Sequence, residues 1–160
     1  MKLRILTESD EAALLDLLTN DRIKLTYMLP DFPCREDAIP LARKLMMLSR
    51  EDNRFVRGME QDGILVGFLN DVDIEAGTIE LGYVVHPDCW GKGCATAALK
   101  LAIAELFRSG YQEVLCGAFE ENAASLRVME KAGMQQIEKW DPINYRGRTH
   151  RCLYRSIKQS

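Results

Sequence analysis

The feature that most constrains this chain is His86-Pro-Asp-Cys-Trp-Gly-Lys-Gly-Cys-Ala-Thr96, a short glycine-bearing loop between two strongly patterned stretches. Thr78-Ile-Glu-Leu-Gly-Tyr-Val-Val85, before it, reads as a buried strand, and Ala97 to Phe107, after it, repeats apolar residues at helical spacing. Strand, tight loop and helix in that order point to a mixed α/β layer arrangement and to a place for an anion. The first-turn N–H groups of a helix have no intrahelical partner, and the helix dipole adds partial positive charge there. Glycines let a phosphate approach the backbone closely, and Lys92 adds a full cation. The same glycines would also serve a strand-to-helix turn by geometry alone.

Spacing excludes two common phosphate loops. A P-loop needs G-x-x-x-x-G-K-[ST], whereas Lys92 lies between the two glycines with no Ser or Thr after it. A dinucleotide fingerprint needs G-x-G-x-x-G, and Thr96 stands where its third glycine belongs. The loop instead resembles the acyl-CoA pyrophosphate loop of the GNAT acetyltransferase superfamily, [Q/R]-x-x-G-x-[G/A], laid over Trp90-Gly-Lys-Gly93-Cys-Ala95. Gly93 and Ala95 match, and Trp90 stands where Gln or Arg is usual. The Trp-Gly-Lys-Gly form is similar to the ribosomal-protein-alanine acetyltransferase branch. Downstream, Glu121-Asn-Ala-Ala-Ser-Leu-Arg-Val-Met-Glu-Lys-Ala-Gly-Met134 resembles the superfamily's later helix, N-x-x-S-x-x-x-x-E-K-x-G-[F/M], at Asn122, Ser125, Glu130, Lys131 and Gly133. Taken without the family, Asn122 is an N-cap, Leu126 and Met129 form an apolar stripe, and Gly133 is a left-handed C-terminal stop.

At 160 residues the chain suits one domain, 1–160, and 47 per cent hydrophobic with 28 per cent charged residues is ordinary globular usage. A net charge of −3 gives no sign of nucleic-acid binding. No apolar run reaches the length of a membrane span, and Met1-Lys-Leu-Arg4 is not a signal peptide, so a cytoplasmic location away from membranes is expected. The five scattered cysteines lack any C-x-x-C pair, which indicates neither a disulfide framework nor a metal site.

Periodicity places a first strand at Lys2 to Thr7 and helices at Glu11 to Leu18 and about Arg35 to Arg50. A hairpin follows, Arg54 to Glu60 and Ile64 to Val72 around Gln61-Asp-Gly63. Later strands are expected at Gln112 to Phe119, Met134 to Trp140 and His150 to Ile157, with Asp141-Pro-Ile-Asn144 a turn-forming loop before the last. The resemblance implies a twisted, mostly antiparallel sheet of six to seven strands, helices on both faces, and a splayed parallel pair at its centre.

It also implies an acetyl-CoA-dependent N-acetyltransferase that passes the acetyl group directly to a primary amine, on a protein N-terminus or a small molecule. Trp90, Gly91, Lys92, Gly93, Cys94, Ala95 and Thr96 would hold the pyrophosphate. Val84 and Val85 would line the pantetheine, with the Val85 N–H facing the thioester carbonyl, and Asn122 and Ser125 would complete the cofactor site. An alkylamine near pKa ~10 must lose a proton before attack. Glu80 is the first candidate for the base, because it interrupts an apolar strand and shares a face with Gly82 and Val84. An outward-facing or salt-bridged glutamate explains it equally well. Glu120 and Glu121 follow as candidates, and His86 after them. Ser125 resembles the position of the acid in the ribosomal-protein branch, with Tyr145 as a rival and helix capping as the other explanation. Tyr27 to Phe32 and the Trp140–Tyr145 loop are candidate walls of the acceptor pocket. Arg146, Arg148 and Arg151 read as a solvated strand edge. An exposed edge could also pair in a homodimer. An inactive acyl-CoA-binding sensor and a non-CoA nucleotide-binding domain are the competing readings.

Overall fold

Three two-residue turns with positive φ at both positions, Asp62-Gly63, Ala76-Gly77 and Arg146-Gly147, fold much of the chain into hairpins. The computed structural model describes residues 1–160. Its strands are β1 (Lys2–Arg4), β2 (Val56–Gln61), β3 (Ile64–Glu75), β4 (Thr78–Val85), β5 (Glu113–Phe119), β6 (Gln135–Tyr145) and β7 (Arg148–Lys158). Its helices are α1 (Glu11–Leu18), α2 (Ile39–Ser49), α3 (Cys94–Arg108) and α4 (Ala123–Lys131). All seven strands form one sheet in the order β1-β2-β3-β4-β5-β7-β6. Every neighbouring pair is antiparallel except β4 with β5. No helix is long and apolar enough to cross a membrane.

Each sheet face has its own core. Ala98, Leu99, Ala102, Ile103 and Leu106 form one stripe of α3, which packs with Met129 of α4 on Leu69, Ile79, Leu81, Val114 and Cys116. The two alanines let α3 lie close to the sheet, and each fully buried leucine adds about 1.5–3 kcal/mol. The opposite face carries α1 and α2 on Leu6, Val56, Phe68 and Val84. Strand alternation sends Ile79, Leu81 and Tyr83 to the α3 side and Glu80, Gly82 and Val84 to the other. A bulge between Asp71 and Asp73 shifts the β3 register so that Asp73, not Val72, lies opposite Glu80. The buried Asp71 carboxylate anchors this bulge, accepting from Arg54 Nη2 at 2.6 Å and from the Phe55 N–H at 2.6 Å.

Two expectations are corrected. The first strand is shorter, Lys2–Arg4, because Thr7 and Asp10 reciprocally cap the turn that follows. Asp141 to Asn144 is not a loop but the middle of β6, with Pro142 opposite Arg151. Proline is tolerated there because β6 is a sheet edge, where a missing N–H costs no ladder bond. The real turn is Arg146-Gly147, whose φ values of 51° and 74° meet the two-residue hairpin requirement.

Candidate active site

β4 and β5 are paired from Thr78 opposite Glu113 only as far as Leu81 opposite Cys116. Beyond that point they separate, while each remains paired on its outer side, to β3 and to β7. A wedge opens between them. The His86 N–H donates to Val66 O on the β3 side, so alternation turns the N–H and C=O of Val85 into the wedge.

The wedge opens into a cavity of about 620 Å³ that reaches both faces of the sheet, since Ile23 and Thr26 of the segment after α1 line it together with residues of α3 and α4. Val84, Val85, Trp90, Gly91 and Gly93 line it, as do Cys94, Ala95 and Thr96 of the first turn of α3. Gly93 is the N-cap, with φ 79° and ψ 8°, and Gly91 has φ 74°. A Cβ on either would meet nothing within 4 Å, so these positions need glycine for backbone conformation, and the space above them is open. The N–H groups of Cys94, Ala95 and Thr96 have no acceptor in the protein. The exposed Lys92 lies outside the cavity wall. Arg127 and Lys131, four residues apart on α4, line the cavity instead, and the Arg22 guanidinium sits 5.0 Å over the Trp90 ring. The basic pair on α4 could have been read from its helical spacing, whereas the irregular segment holding Arg22 gave no signal. Trp90 donates from Nε1 to Val85 O at 2.8 Å, tying the loop to the strand end.

Asn122 and Ser125 line the other side of the cavity. Asn122 Oδ1 accepts the Ser125 N–H at 3.2 Å, which is the cap expected from sequence. Sequence reasoning missed the partner of the Ser125 hydroxyl. Tyr83 Oη is 2.7 Å from Ser125 Oγ and also lines the cavity. Burial pushes the Tyr83 hydroxyl well above its ordinary value, so it keeps its proton at neutral pH.

Glu80 does not line this cavity; its strand position faces the α1/α2 side. Burial raises its carboxyl above the ordinary value; Lys139 opposes this, and the Asp73 and Asp141 carboxylates add to it. Tyr154 donates to Asp141 Oδ2 at 3.0 Å, and Lys139 Nζ lies 4.5 Å over the Tyr154 ring, so a polar cluster surrounds Glu80. The two segments expected as pocket walls meet on this face. The Tyr27 ring covers Gly82, and its hydroxyl donates to Asn70 Oδ1 at 2.7 Å. Tyr145 Oη contacts Leu29 O at 3.1 Å and Tyr27 O at 3.3 Å, joining the tip of the β6–β7 hairpin to the segment after α1. His86 caps its own turn through the Asp88 N–H at 3.1 Å. Arg146 faces Asp31 at 3.6 Å, and Arg151 covers the outward Trp140 ring at 4.7 Å.

Comparison with known proteins agrees with this fold. The uncharacterized N-acetyltransferase YoaA of Bacillus subtilis (strain 168) is 25% identical over 139 residues, 84% of this chain and 78% of its own. The ribosomal-protein-alanine N-acetyltransferase of Brucella melitensis superposes with a TM-score of 0.79 at 20% identity, over 99% of this chain and 100% of its own. The spermidine N-acetyltransferase of Vibrio cholerae, solved in complex with CoA and spermine, gives a TM-score of 0.82 at 18% identity, over 99% and 95%. The family model described as acetyltransferase (GNAT) domain matches residues 1–135. With that match spanning most of its length, the chain belongs to the GNAT acetyltransferase family.

Proposed function

We propose that the protein, as a single acyl-CoA N-acyltransferase domain over 1–160, transfers an acetyl group from acetyl-CoA to a primary amine by direct attack in a ternary complex. The observation that supports this most is the separation of β4 from β5 beyond Leu81 and Cys116, into a cavity ended by unpartnered N–H groups of α3. These residues suit the cofactor. Open space over Gly91 and Gly93, free amides at Cys94, Ala95 and Thr96, and the cations of Arg127 and Lys131 fit a pyrophosphate and its neighbouring phosphate. Trp90 holds the loop, and Lys92 adds charge at its rim.

Acetyl-CoA supplies the activated thioester. Val84 and Val85 give it a strand edge to lie along, and the Val85 N–H faces the carbonyl oxygen as charge builds there. Asn122 fixes the start of α4, which sets Ser125 beside the sulfur. Ser125 gives a proton to the leaving thiolate and regains one from water, while Tyr83, 2.7 Å behind it and protonated throughout, hydrogen-bonds the serine oxygen and holds it in place. On the opposite face Glu80, with its raised carboxyl, takes a proton from the amine through water. The likeness to the ribosomal-protein branch favours a protein N-terminal amine as acceptor, with small amines such as polyamines as rivals. The open sheet edges, β1 and β6, are where two copies would pair, and gel filtration reads this.

The test is thermal unfolding with acetyl-CoA, CoA, ATP and NAD added separately, followed by CoA thiol release over a panel of amines. Stabilisation by acetyl-CoA and CoA alone, with turnover on at least one amine, is the expected result. Binding without turnover would turn the reading to an acyl-CoA sensor, and stabilisation by ATP or NAD instead would refute the cofactor.

A further inference from the structure

His150 and Glu121 form a pair that the steps above do not use. β7 runs past the end of β5 with Cys152 opposite Phe119, which brings His150 level with Glu121 at the mouth of the wedge. His150 Nδ1 is hydrogen-bonded to Glu121 Oε1. The imidazole stacks on the Phe119 ring, with centroids 4.1 Å apart and planes at 11°, and the Tyr145 ring lies 6.4 Å away. The His150 side chain is only 13% exposed, so ring and carboxylate are held as a unit. A carboxylate can only accept, so Nδ1 carries a hydrogen, and in the tautomer this selects Nε2 is the acceptor. Nε2 has no partner within the protein, and no buried side-chain nitrogen or oxygen lacks one, so Nε2 is open to solvent. Its own N–H and then His150 hold the Glu121 carboxyl below its ordinary value, which keeps the orienting charge in place. The titratable and charged groups around the ring are Glu121 after β5, Tyr145 on β6, and Arg148 on its own strand.

Proton balance gives such a pair work to do. An alkylamine arrives as RNH3⁺ and leaves as RNH-acetyl, so its nitrogen loses two protons as the N–C bond forms and the C–S bond breaks. One matches the proton that the departing thiolate gains to become CoASH, and the other must reach solvent. We infer that the Glu121–His150 pair is this exit: His150 Nε2 takes a proton from the amine on the acceptor face and passes it to water, while Glu121 holds the ring and balances the imidazolium. Phe119, the last residue of β5, puts the ring beside the wedge. Asn122, next to Glu121, lines the cofactor cavity, so the pair stands where the two faces join.

This inference rests on the acetyl-transfer reading, and its test separates the two. His150→Gln and Glu121→Gln are assayed with an alkylamine that the parent acetylates and with hydroxylamine, which is already neutral at about pH 7. His150→Gln is expected to lower kcat/KM for the alkylamine by about 10²-fold or more. It should lower kcat/KM for hydroxylamine by no more than a few fold and keep the full thermal shift with CoA. Glu121→Gln, which preserves a hydrogen-bond acceptor, should fall between parent and His150→Gln. Unchanged alkylamine turnover in His150→Gln overturns the exit alone. An equal loss on both acceptors, or a lost CoA shift, assigns the pair to holding the fold and also overturns it. A parent protein that acetylates no amine removes the acetyl-transfer reading and the exit with it.

Discussion

Gly93 is where the backbone and the ligand make opposing demands, and substitutions there separate them. Its φ of 79° places it in the left-handed region, and a Cβ would meet nothing within 4 Å, so Gly93→Ala pays only the conformational cost. That cost is about 1–2 kcal/mol. At about 2–4 °C per kcal/mol for a chain of this size, the free protein should melt about 2–8 °C lower. Gly93→Asp carries the same strain, but its carboxylate sits at the N-terminus of α3, where it can cap the free N–H groups and offset about 1 kcal/mol. The aspartate variant should therefore be the more stable of the two without ligand. With acetyl-CoA at about a hundredfold excess over Kd, binding adds about 2.7 kcal/mol to the parent, an upward shift of about 5–10 °C. Gly93→Ala should keep much of that shift and Gly93→Asp should keep none, because its charge occupies the place of the pyrophosphate. Differential scanning fluorimetry of the three proteins, with and without ligand, reads both orders at once. A folded Gly93→Asp protein with the full ligand shift would refute the assignment of the loop to an anion.

The remaining expectations concern proton transfer and pH. Glu80→Gln should lower kcat/KM for an alkylamine by about 10²-fold while leaving the acetyl-CoA shift intact; loss of the shift would take Glu80 out of proton transfer. Because the Glu80 carboxyl is raised on folding, its contribution is most favourable in acid and is lost as pH rises through its folded value. Glu80→Gln should thus gain stability relative to the parent at neutral pH and lose that advantage on acidification, as urea midpoints at the two pH values will show. Ser125→Ala and Tyr83→Phe should each lower kcat by about tenfold or more with little change in KM, and the double variant should be no worse than the poorer single one if the two hydroxyls act as a unit. Asp10 has the opposite sign from Glu80: its hydrogen bonds to Arg4, against some desolvation, hold its carboxyl below the ordinary value. Asp10→Asn should cost stability at neutral pH, and the difference from the parent should close as pH falls through the folded value of Asp10. A gap that persists in acid would mean the ion pair is not its source.

What sequence revealed and what it hid divide by the range of the interaction. α1 and β4 have the limits that their apolar periodicity gives, because each is fixed by a single buried face. The glycines at the start of α3 and the cap at Asn122 were legible because backbone conformation and local hydrogen bonds leave residue-type signatures. Pro142 misled because its usual meaning, a break, is suspended on an edge strand, and no local pattern says that β6 will be the edge. The pairings Tyr83–Ser125 and His150–Glu121 span 42 and 29 residues, so only the finished sheet brings them together. Trp90 looked like a departure from the family pattern; the structure gives it a task, since its indole ties the loop to Val85 and its ring receives Arg22.

The wedge also shows how a stable fold can keep unsatisfied backbone at its centre. Buried N–H and C=O groups must be paired, and a strand pair that parts midway would ordinarily expose both edges. Here the outer sides of β4 and β5 keep their antiparallel partners β3 and β7 throughout, so the sheet stays anchored on either side of the gap. The bulge at Asp71–Asp73, pinned by Arg54 and the Phe55 N–H, braces the outer side of β4. Trp90 satisfies the Val85 carbonyl, leaving the Val85 N–H directed into the wedge. Such a strand edge accepts an extended chain bearing amides of its own in the manner of an added strand. One end of that edge meets free helix-terminal donors and cations, Glu80 lies on the paired part of β4 just before the opening, and the Glu121–His150 pair follows the end of β5. Under the proposed acetyl transfer, the cations that would hold a pyrophosphate stand on α4, whereas the charged groups that act on the Glu80 carboxyl are Lys139, Asp73 and Asp141, so anion recognition and proton removal would draw on different groups.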